Sequence, residues 1–357
     1  MGDEIILTVT ASEELTEISV TISGQNAVVT NIEGNQFMAA YTMVDGDTEG
    51  IVTFNIGFTD IRGNPADGIN TTTDLSEVTF DNTKPTLNPV SIISNNTCLG
   101  GSGAKAGDIV SITFTGEEQL LSWNAIILGD SVDVIDLGSN QYQADRELMD
   151  TDPEGNVTFL LQVVDMAGNI SDDIIETTDN SDVIIDQTPP LLSFVHIESS
   201  NEISPFEAIP GVDIVTLTFQ GNELLSTASV TIMGNSVNVA NDGDTYSAEY
   251  SITEDDSGLV TFSIDYSDCP GNPGETDSTT TDESFVNIDS GPPEMLSVSI
   301  YSSYGDSSWA RVDDTVTVRF VATETLGEIN MVIADQAVDV DKVIHPGTTY
   351  ELSLIHI

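Results

Sequence analysis

The sequence predicts an all-β fold, built as tandem sandwich domains. Three observations carry that prediction. Apolar and polar residues alternate over many short runs, and no stretch keeps a helical period. The unit EGNVTFLLQVVDMAGN at Glu154–Asn169 recurs as EGIVTFNIGFTDIRGN at Glu49–Asn64 and as SGLVTFSIDYSDCPGN at Ser257–Asn272. Pro-containing segments recur in step with it, as Asn82-Thr-Lys-Pro85, Gln187-Thr-Pro-Pro190 and Ser290-Gly-Pro-Pro293.

Each element of the repeat has its own reason. A first strand follows the Pro-containing hinge, as in Pro85-Thr-Leu-Asn-Pro-Val-Ser-Ile-Ile. After a polar loop, Asp108-Ile-Val-Ser-Ile-Thr-Phe-Thr alternates cleanly and points Val110, Ile112 and Phe114 inward. Its counterparts begin at Asp3, Asp213 and Asp314. A carboxylate follows each, at Glu13, Glu118, Glu223 and Glu324, at intervals of 105, 105 and 101 residues. Turns at Gly24-Gln25, Gly129-Asp130 and Gly234-Asn235 lead to an aromatic at Phe37, Tyr142 and Tyr246, with Tyr350 in the matching place. In the recurring unit, Val157, Phe159, Leu161 and Val163 face inward. Val52, Phe54, Ile56 and Phe58 match them, as do Val260, Phe262, Ile264 and Tyr266. The unit ends in D-x-x-G-N, where Asp can accept from backbone N–H groups and Gly can take a positive φ. A Thr-rich stretch follows (Thr71-Thr-Thr-Asp74, Thr177-Thr-Asp179, Thr279-Thr-Thr-Asp282) and reads as a solvated β-forming segment rather than a flat ligand surface. The last strand ends at Asp81, Asp186 or Asp289.

About seven short strands per roughly 100 residues, separated by turn signals, is the pattern of an immunoglobulin-like β-sandwich. The expected repeats are 1–83, 84–189, 190–292 and 293–351. The first lacks its first strand and the last is cut, so the chain reads as a piece of a longer protein. The final Leu352-Ser-Leu-Ile-His-Ile (352–357) departs from the repeat. It resembles the translation of a sequencing adapter and is set aside.

Composition narrows function. Sixty acidic residues against seven basic give a formal net charge of −53, which argues against nucleic acid or an anionic membrane as partner. No apolar run reaches the ~20 residues of a helical membrane span. Cys98 and Cys269 occupy positions that do not correspond, so they are expected to be unpaired. No Ser/His/Asp arrangement recurs, and no phosphate loop, HExxH or CxxC spacing is present, so no enzyme activity is expected.

The succession S-N-N, G-D-x-V-x-I-x-F, E, E-G-x-V-T-F, D-x-x-G-N, T-T-D and S-x-V-x-x-D-x-T-x-P resembles the tandem bacterial Ig-like repeats of large secreted or surface proteins, many of them adhesin-like. Ser257 for Glu, an inserted Val212 and Asp313 for Gly are the departures. The resemblance implies an extended extracellular or cell-surface spacer whose partners are neighbouring repeats of the same chain. The alternative is a module that binds glycan or protein.

The matched acids suggest one chemistry. In such a sandwich the loops after the second and sixth strands share an end with the incoming linker. That places Glu118 and Asp165 near Asp81, Glu223 and Asp268 near Asp186, and Glu324 near Asp289. Three carboxylates at such a place could hold Ca²⁺ through hard oxygen donors. The competing reading is that D-x-x-G-N is a turn and nothing more.

Overall fold

The computed structural model describes residues 2–355, apart from 325, 327, 328, 334, 338–342 and 345–347. His356 and Ile357, at the end of the segment set aside above, therefore lie outside the described residues. Contacts divide the chain into two compact units. One comprises Met1–Pro190 with Leu224–Thr227 and Ser267–Gly274; the other comprises Leu191–Glu223, Ala228–Tyr266 and Glu275–Ile357. Both are β structure. The single helical turn among the described residues is the 3-10 turn at Cys98–Gly100. No helix there is long and apolar enough to cross a membrane.

In the first unit, residues 87–185 form a complete sandwich. One sheet runs Val134–Gly138, Gln141–Glu147, Ile109–Gly116, Leu87–Ser94, all antiparallel. The facing sheet runs Asp130–Val132, Leu120–Ile127, Phe159–Asp165. A small third sheet joins Gly103–Ala104, Ile184–Ile185 and Gly155–Asn156. The period-two reading predicts the core. Val110, Ile112, Leu161 and Val163 are fully enclosed, and Phe114 and Tyr142 stack between the sheets with ring centroids 5.3 Å apart.

Residues 4–80 follow the same plan with one strand fewer. Glu4–Thr10 pairs with Gln36–Thr42, which pairs with Val28–Glu33; opposite them lie Gln25–Asn26, Leu15–Ile22 and Phe54–Asp60. Ile5, Leu7 and Val9, the counterparts of Val110, Ile112 and Phe114, are only half-buried.

In the second unit, a four-stranded sheet runs Leu192–Ser199, Ile214–Gly221, Thr245–Ser251, Val239–Asp242. It covers a core in which Val215, Leu217, Phe219, Ile232 and Ile264 are fully enclosed. Further along, Met295–Ser302, Thr315–Ala322, Thr349–Ile355 and Val343–Ile344 make another sheet of the same order. Leu352–Ile355, expected to stand apart from the repeat, prolong its third strand: Leu352 pairs with Val318 and is buried. Leu352 and Leu354 alternate around Ser353, and that suffices for a strand.

The Thr-rich stretches are bends, not strands. In the second repeat the Asp179 carboxylate accepts from Ser181 N–H and hydroxyl, and Asn180 takes a φ of 60°. The stretch then serves the first strand: Val90 N–H donates to the Thr178 hydroxyl at 2.9 Å, and Ile92 N–H to the Ser181 hydroxyl at 2.8 Å. Local Asx chemistry has overridden β propensity.

Candidate metal centre at the repeat junction

The D-x-x-G-N turn aims its own side chains. Asp165 ends a core strand and is fully buried. Its Oδ1 accepts from Ala167 N–H at 2.8 Å and Asn169 N–H at 2.9 Å, and its Oδ2 accepts from the Asn169 amide at 2.9 Å. Gly168 supplies the turn with a φ of 94°, a region L side chains avoid. Asp268 and Asn272 repeat the arrangement, with Asn272 Nδ2 2.7 Å from Asp268 Oδ2. Asp60 and Asn64 do so too, again at 2.7 Å. The turn reading therefore holds in all three copies, on charge-assisted hydrogen bonds.

The Asn does more in two of them. Asn169 Nδ2 also donates to the Asp81 carbonyl at 3.1 Å, and Asn272 Nδ2 to the Asp186 carbonyl at 2.9 Å. One amide thus ties the turn of a repeat to the linker that enters it. The role was open to sequence reasoning, since Asn recurs at 64, 169 and 272. The signal is hidden because the same Asn already completes the turn.

Around that clamp Asp81, Glu118 and Asp165 each bring a carboxylate oxygen within 4.8 Å of the others. Oxygen ligands lying about 2.3–2.6 Å from one Ca²⁺ are at most about 5 Å apart, so the cluster is of fitting size. Glu118 carries the electrostatic cost. Burial pushes its carboxyl above the usual range, and the charges of Asp81, Asp165 and Glu49 push it further. Asp81 also holds the linker, accepting from Thr83 N–H at 3.0 Å.

At the next junction, Asp186 and Asp268 meet within the first unit through Asn272; Asp186 accepts from Thr188 N–H at 3.0 Å. Glu223 follows the Ile214–Gly221 strand in the second unit, at the place Glu118 holds one repeat earlier. Within the second unit, Glu324 shares a hydrogen bond with the Asp289 carboxyl. Its own carboxyl is pushed up, first by that bond, then by burial and the charges of Asp289 and Glu207.

Sequence reasoning missed two further junction contacts. Glu49 accepts from the Thr83 hydroxyl at 2.8 Å, and Glu154 from the Thr188 hydroxyl at 2.6 Å. More consequentially, the expectation of unpaired cysteines is wrong. Cys98 and Cys269 form a disulfide with Cα atoms 5.4 Å apart, across 171 residues of sequence and inside the first unit. Beside it, Asn96 Nδ2 donates to the Pro270 carbonyl at 2.9 Å. Mismatched positions argue against a bond within a repeat, but not against one between repeats, where unlike ends meet.

No protein-family profile matches the chain, and no curated protein matches it. Solved structures do. An adhesin described as Ca²⁺-stabilised, which helps an Antarctic bacterium reach out and bind ice, is 15% identical over 99% of this chain and 86% of its own, with a TM-score of 0.39. The I9–I11 tandem of titin is 9% identical over 80% and 93%, at 0.29. Fibronectin(III)-like modules of Clostridium thermocellum CbhA are 12% identical over 55% and 94%, at 0.28. At TM-scores below 0.5 these likenesses carry no argument. The facing sheets and strand order described above settle the class by themselves. The fold is immunoglobulin-like. The chain is a tandem array of immunoglobulin-like β-sandwiches, and its acidic junctions belong to that array.

Proposed function

We propose that the chain is a spacer in an extracellular or cell-surface protein: four Ig-like repeats, 1–83, 84–189, 190–292 and 293–351, held in line at their junctions and stiffened there by Ca²⁺. The observation that carries the reading is the Asn clamp, by which Asn169 holds the Asp81 carbonyl and Asn272 the Asp186 carbonyl. A linker tied to the next repeat resists bending. The disulfide supports an oxidising, extracellular setting. The charge of −53 keeps such an array soluble and self-repelling.

Asp81, Glu118 and Asp165 are the proposed Ca²⁺ ligands at the first junction. Asp186, Glu223 and Asp268, and then Asp289 and Glu324, are proposed for the same role by their matched places in the repeat. Bound Ca²⁺ would supply charge compensation to carboxylates that otherwise repel one another. The test is a thermal melt of the whole chain with Ca²⁺ and with chelator. A midpoint raised by Ca²⁺ and restored by chelator supports the site; identical midpoints reject calcium and leave the clamp as the stiffening element.

A second reading, a glycan- or protein-binding module, is favoured by one feature. Phe206 and Phe285 are both about half exposed and stack with centroids 5.6 Å apart. Their counterparts one repeat earlier are Ser102 and Asp182. Binding to a glycan panel, abolished by Phe206→Ala and Phe285→Ala, would support this reading over the spacer.

A further inference from the structure

The first strand of the repeat keeps its inward residues and varies its outward ones. Val90 and Ile92 of Leu87–Ser94 are buried, as are Val195 and Ile197 of Leu192–Ser199. The two strands match in register, since Val90 N–H donates to the Thr178 hydroxyl and Val195 N–H to the Thr281 hydroxyl. On the outward face Pro89, Ser91 and Ile93 of one strand become Phe194, His196 and Glu198 of the next. Met295–Ser302 carries Ser297, Ser299 and Tyr301 there. Phe, His and Glu thus occur together in one strand of the three, on the face that the core does not constrain.

These side chains and Asp282 form a cluster inside the second unit. His196 Nδ1 lies 2.6 Å from Asp282 Oδ2. An ionised carboxylate only accepts, so Nδ1 carries a ring proton. Asp282 is itself fixed. Its Oδ1 accepts from Ser284 N–H at 3.0 Å, and hydrogen bonds from the Ser284 and His196 side chains hold its carboxyl down at about 2. Phe194 stacks on the imidazole, with centroids 6.1 Å apart and planes 14° from parallel. The ring's orientation and its tautomer are therefore both set.

That tautomer leaves the lone pair of the neutral ring on Nε2. Among the described residues Nε2 makes no hydrogen bond, because Glu198 Oε2 stands 3.6 Å away, beyond hydrogen-bond reach. The separation suits a shared ion instead. Donors bound at about 2.0–2.2 Å to a tetrahedral Zn²⁺ are about 3.3–3.6 Å apart. Across the sheet, His196 and Glu198 face Thr218 and Thr216, which bring no competing charge. A carboxylate on the far nitrogen is also what orients an imidazole towards a metal and raises its basicity. Ca²⁺ and Mg²⁺ take oxygen donors, whereas imidazole suits Zn²⁺, Cu²⁺ and Ni²⁺. The net charge of −53 gathers divalent cations of every kind around the chain.

We propose that His196 Nε2 and Glu198 form a surface site for a borderline divalent transition-metal ion of the Zn²⁺ type, with Asp282 as the residue that positions the imidazole. Two protein donors leave the rest of the coordination shell to water. The site is separate from the acidic junctions, which offer oxygen alone.

The probe is Zn²⁺, titrated into the whole chain in excess Ca²⁺ so that sites made only of carboxylates are taken, with the imidazole protons followed by NMR. His196→Gln identifies the His196 signals among the three histidines of the chain. Zn²⁺ should shift those signals saturably, and Ca²⁺ should not. Asp282→Asn should weaken binding by roughly ten- to a hundredfold, and the exposed change Glu198→Gln at least as much. Asp179→Asn alters the matching bend one repeat earlier, where Ser91 replaces the histidine, and should leave binding unchanged. His196 signals unmoved by Zn²⁺ overturn the proposal and reduce the cluster to an ion pair. A shift that Ca²⁺ reproduces overturns it too. So does an affinity indifferent to both Glu198→Gln and Asp282→Asn, which would reveal a lone exposed imidazole, or one that Asp179→Asn lowers as much as Asp282→Asn does.

Discussion

The Glu154 carboxylate accepts a hydrogen bond from the Thr188 hydroxyl at 2.6 Å, and the pair closes the linker back onto the repeat it leaves. Glu49 and Thr83 are the matching pair one repeat earlier. In the next repeat Ser257 stands for the Glu and Gly291 for the Thr, so both partners change together. The Thr188 bond is also the first cause of the lowered Glu154 pKa. Limited proteolysis should therefore cut first near Ser290–Gly291. Thr188→Val should raise cleavage at its own linker towards that rate. Equal cleavage at all three linkers would rule out the tether.

The Asn clamp can be separated from the turn. Asn64→Ala removes the amide bond to Asp60, whereas Asn169→Ala removes the bond to Asp165 and also the one to the Asp81 carbonyl. At about 1 kcal/mol per hydrogen bond, Asn169→Ala should cost about 1 kcal/mol more than Asn64→Ala in denaturant unfolding. Equal losses would show that the cross-linker bond contributes nothing.

Glu118 gives a pH signature of definite sign. Its folded-state carboxyl is raised, so the folded form holds the proton more tightly. The stability it contributes is complete below the ordinary Glu value of about 4.3 and is lost as pH rises through the folded value. Glu118→Gln should flatten that fall without Ca²⁺, raise stability at pH 7 by at most about 1 kcal/mol after solvent screening, and weaken any Ca²⁺ response. A variant with an unchanged pH profile would contradict the cluster.

Arg146 tests a buried pair. Its guanidinium lies 2.6 Å from Asp152 and 2.7 Å from Asp130, with Arg146 and Asp152 nearly enclosed. Tyr41 with Asp47 and Tyr250 with Asp256 take its place in the neighbouring repeats. Arg146→Ala strands a buried carboxylate and should cost about 3 kcal/mol, while Arg146→Tyr should cost much less. Asp152 is held below the usual carboxylate range, chiefly by the Arg146 hydrogen bond. Its contribution is present above the ordinary Asp value of about 3.9 and fades as pH falls through the folded one. Urea midpoints against pH would check both.

What was legible in the sequence follows the periodicity. Val110, Ile112, Phe114, Leu161 and Val163 could be assigned inward because alternation is a property of one strand at a time. The D-x-x-G-N turn was readable for the same local reason. The junction was harder. Head-to-tail repeats bring the leading end of one against the trailing end of the next, so touching residues never hold matching places. Cys98 follows a first strand, Cys269 sits in a turn, and comparing copies of the repeat cannot pair them. The matched acids could be found because each repeat supplies the same set. Asn169, which works on the turn and the linker together, looked like part of the turn alone.

The Cys98–Cys269 bond also alters what happens when the chain is pulled from its ends. Tension entering at Cys98 can leave at Cys269 through the sulfurs, and the residues between them, 99–268, carry none of it. If that region unfolds while oxidised, it releases no length. Once reduced, the same event would free roughly 600 Å of contour. A single covalent link thus converts part of the array into a reserve of slack, available only when the surroundings turn reducing.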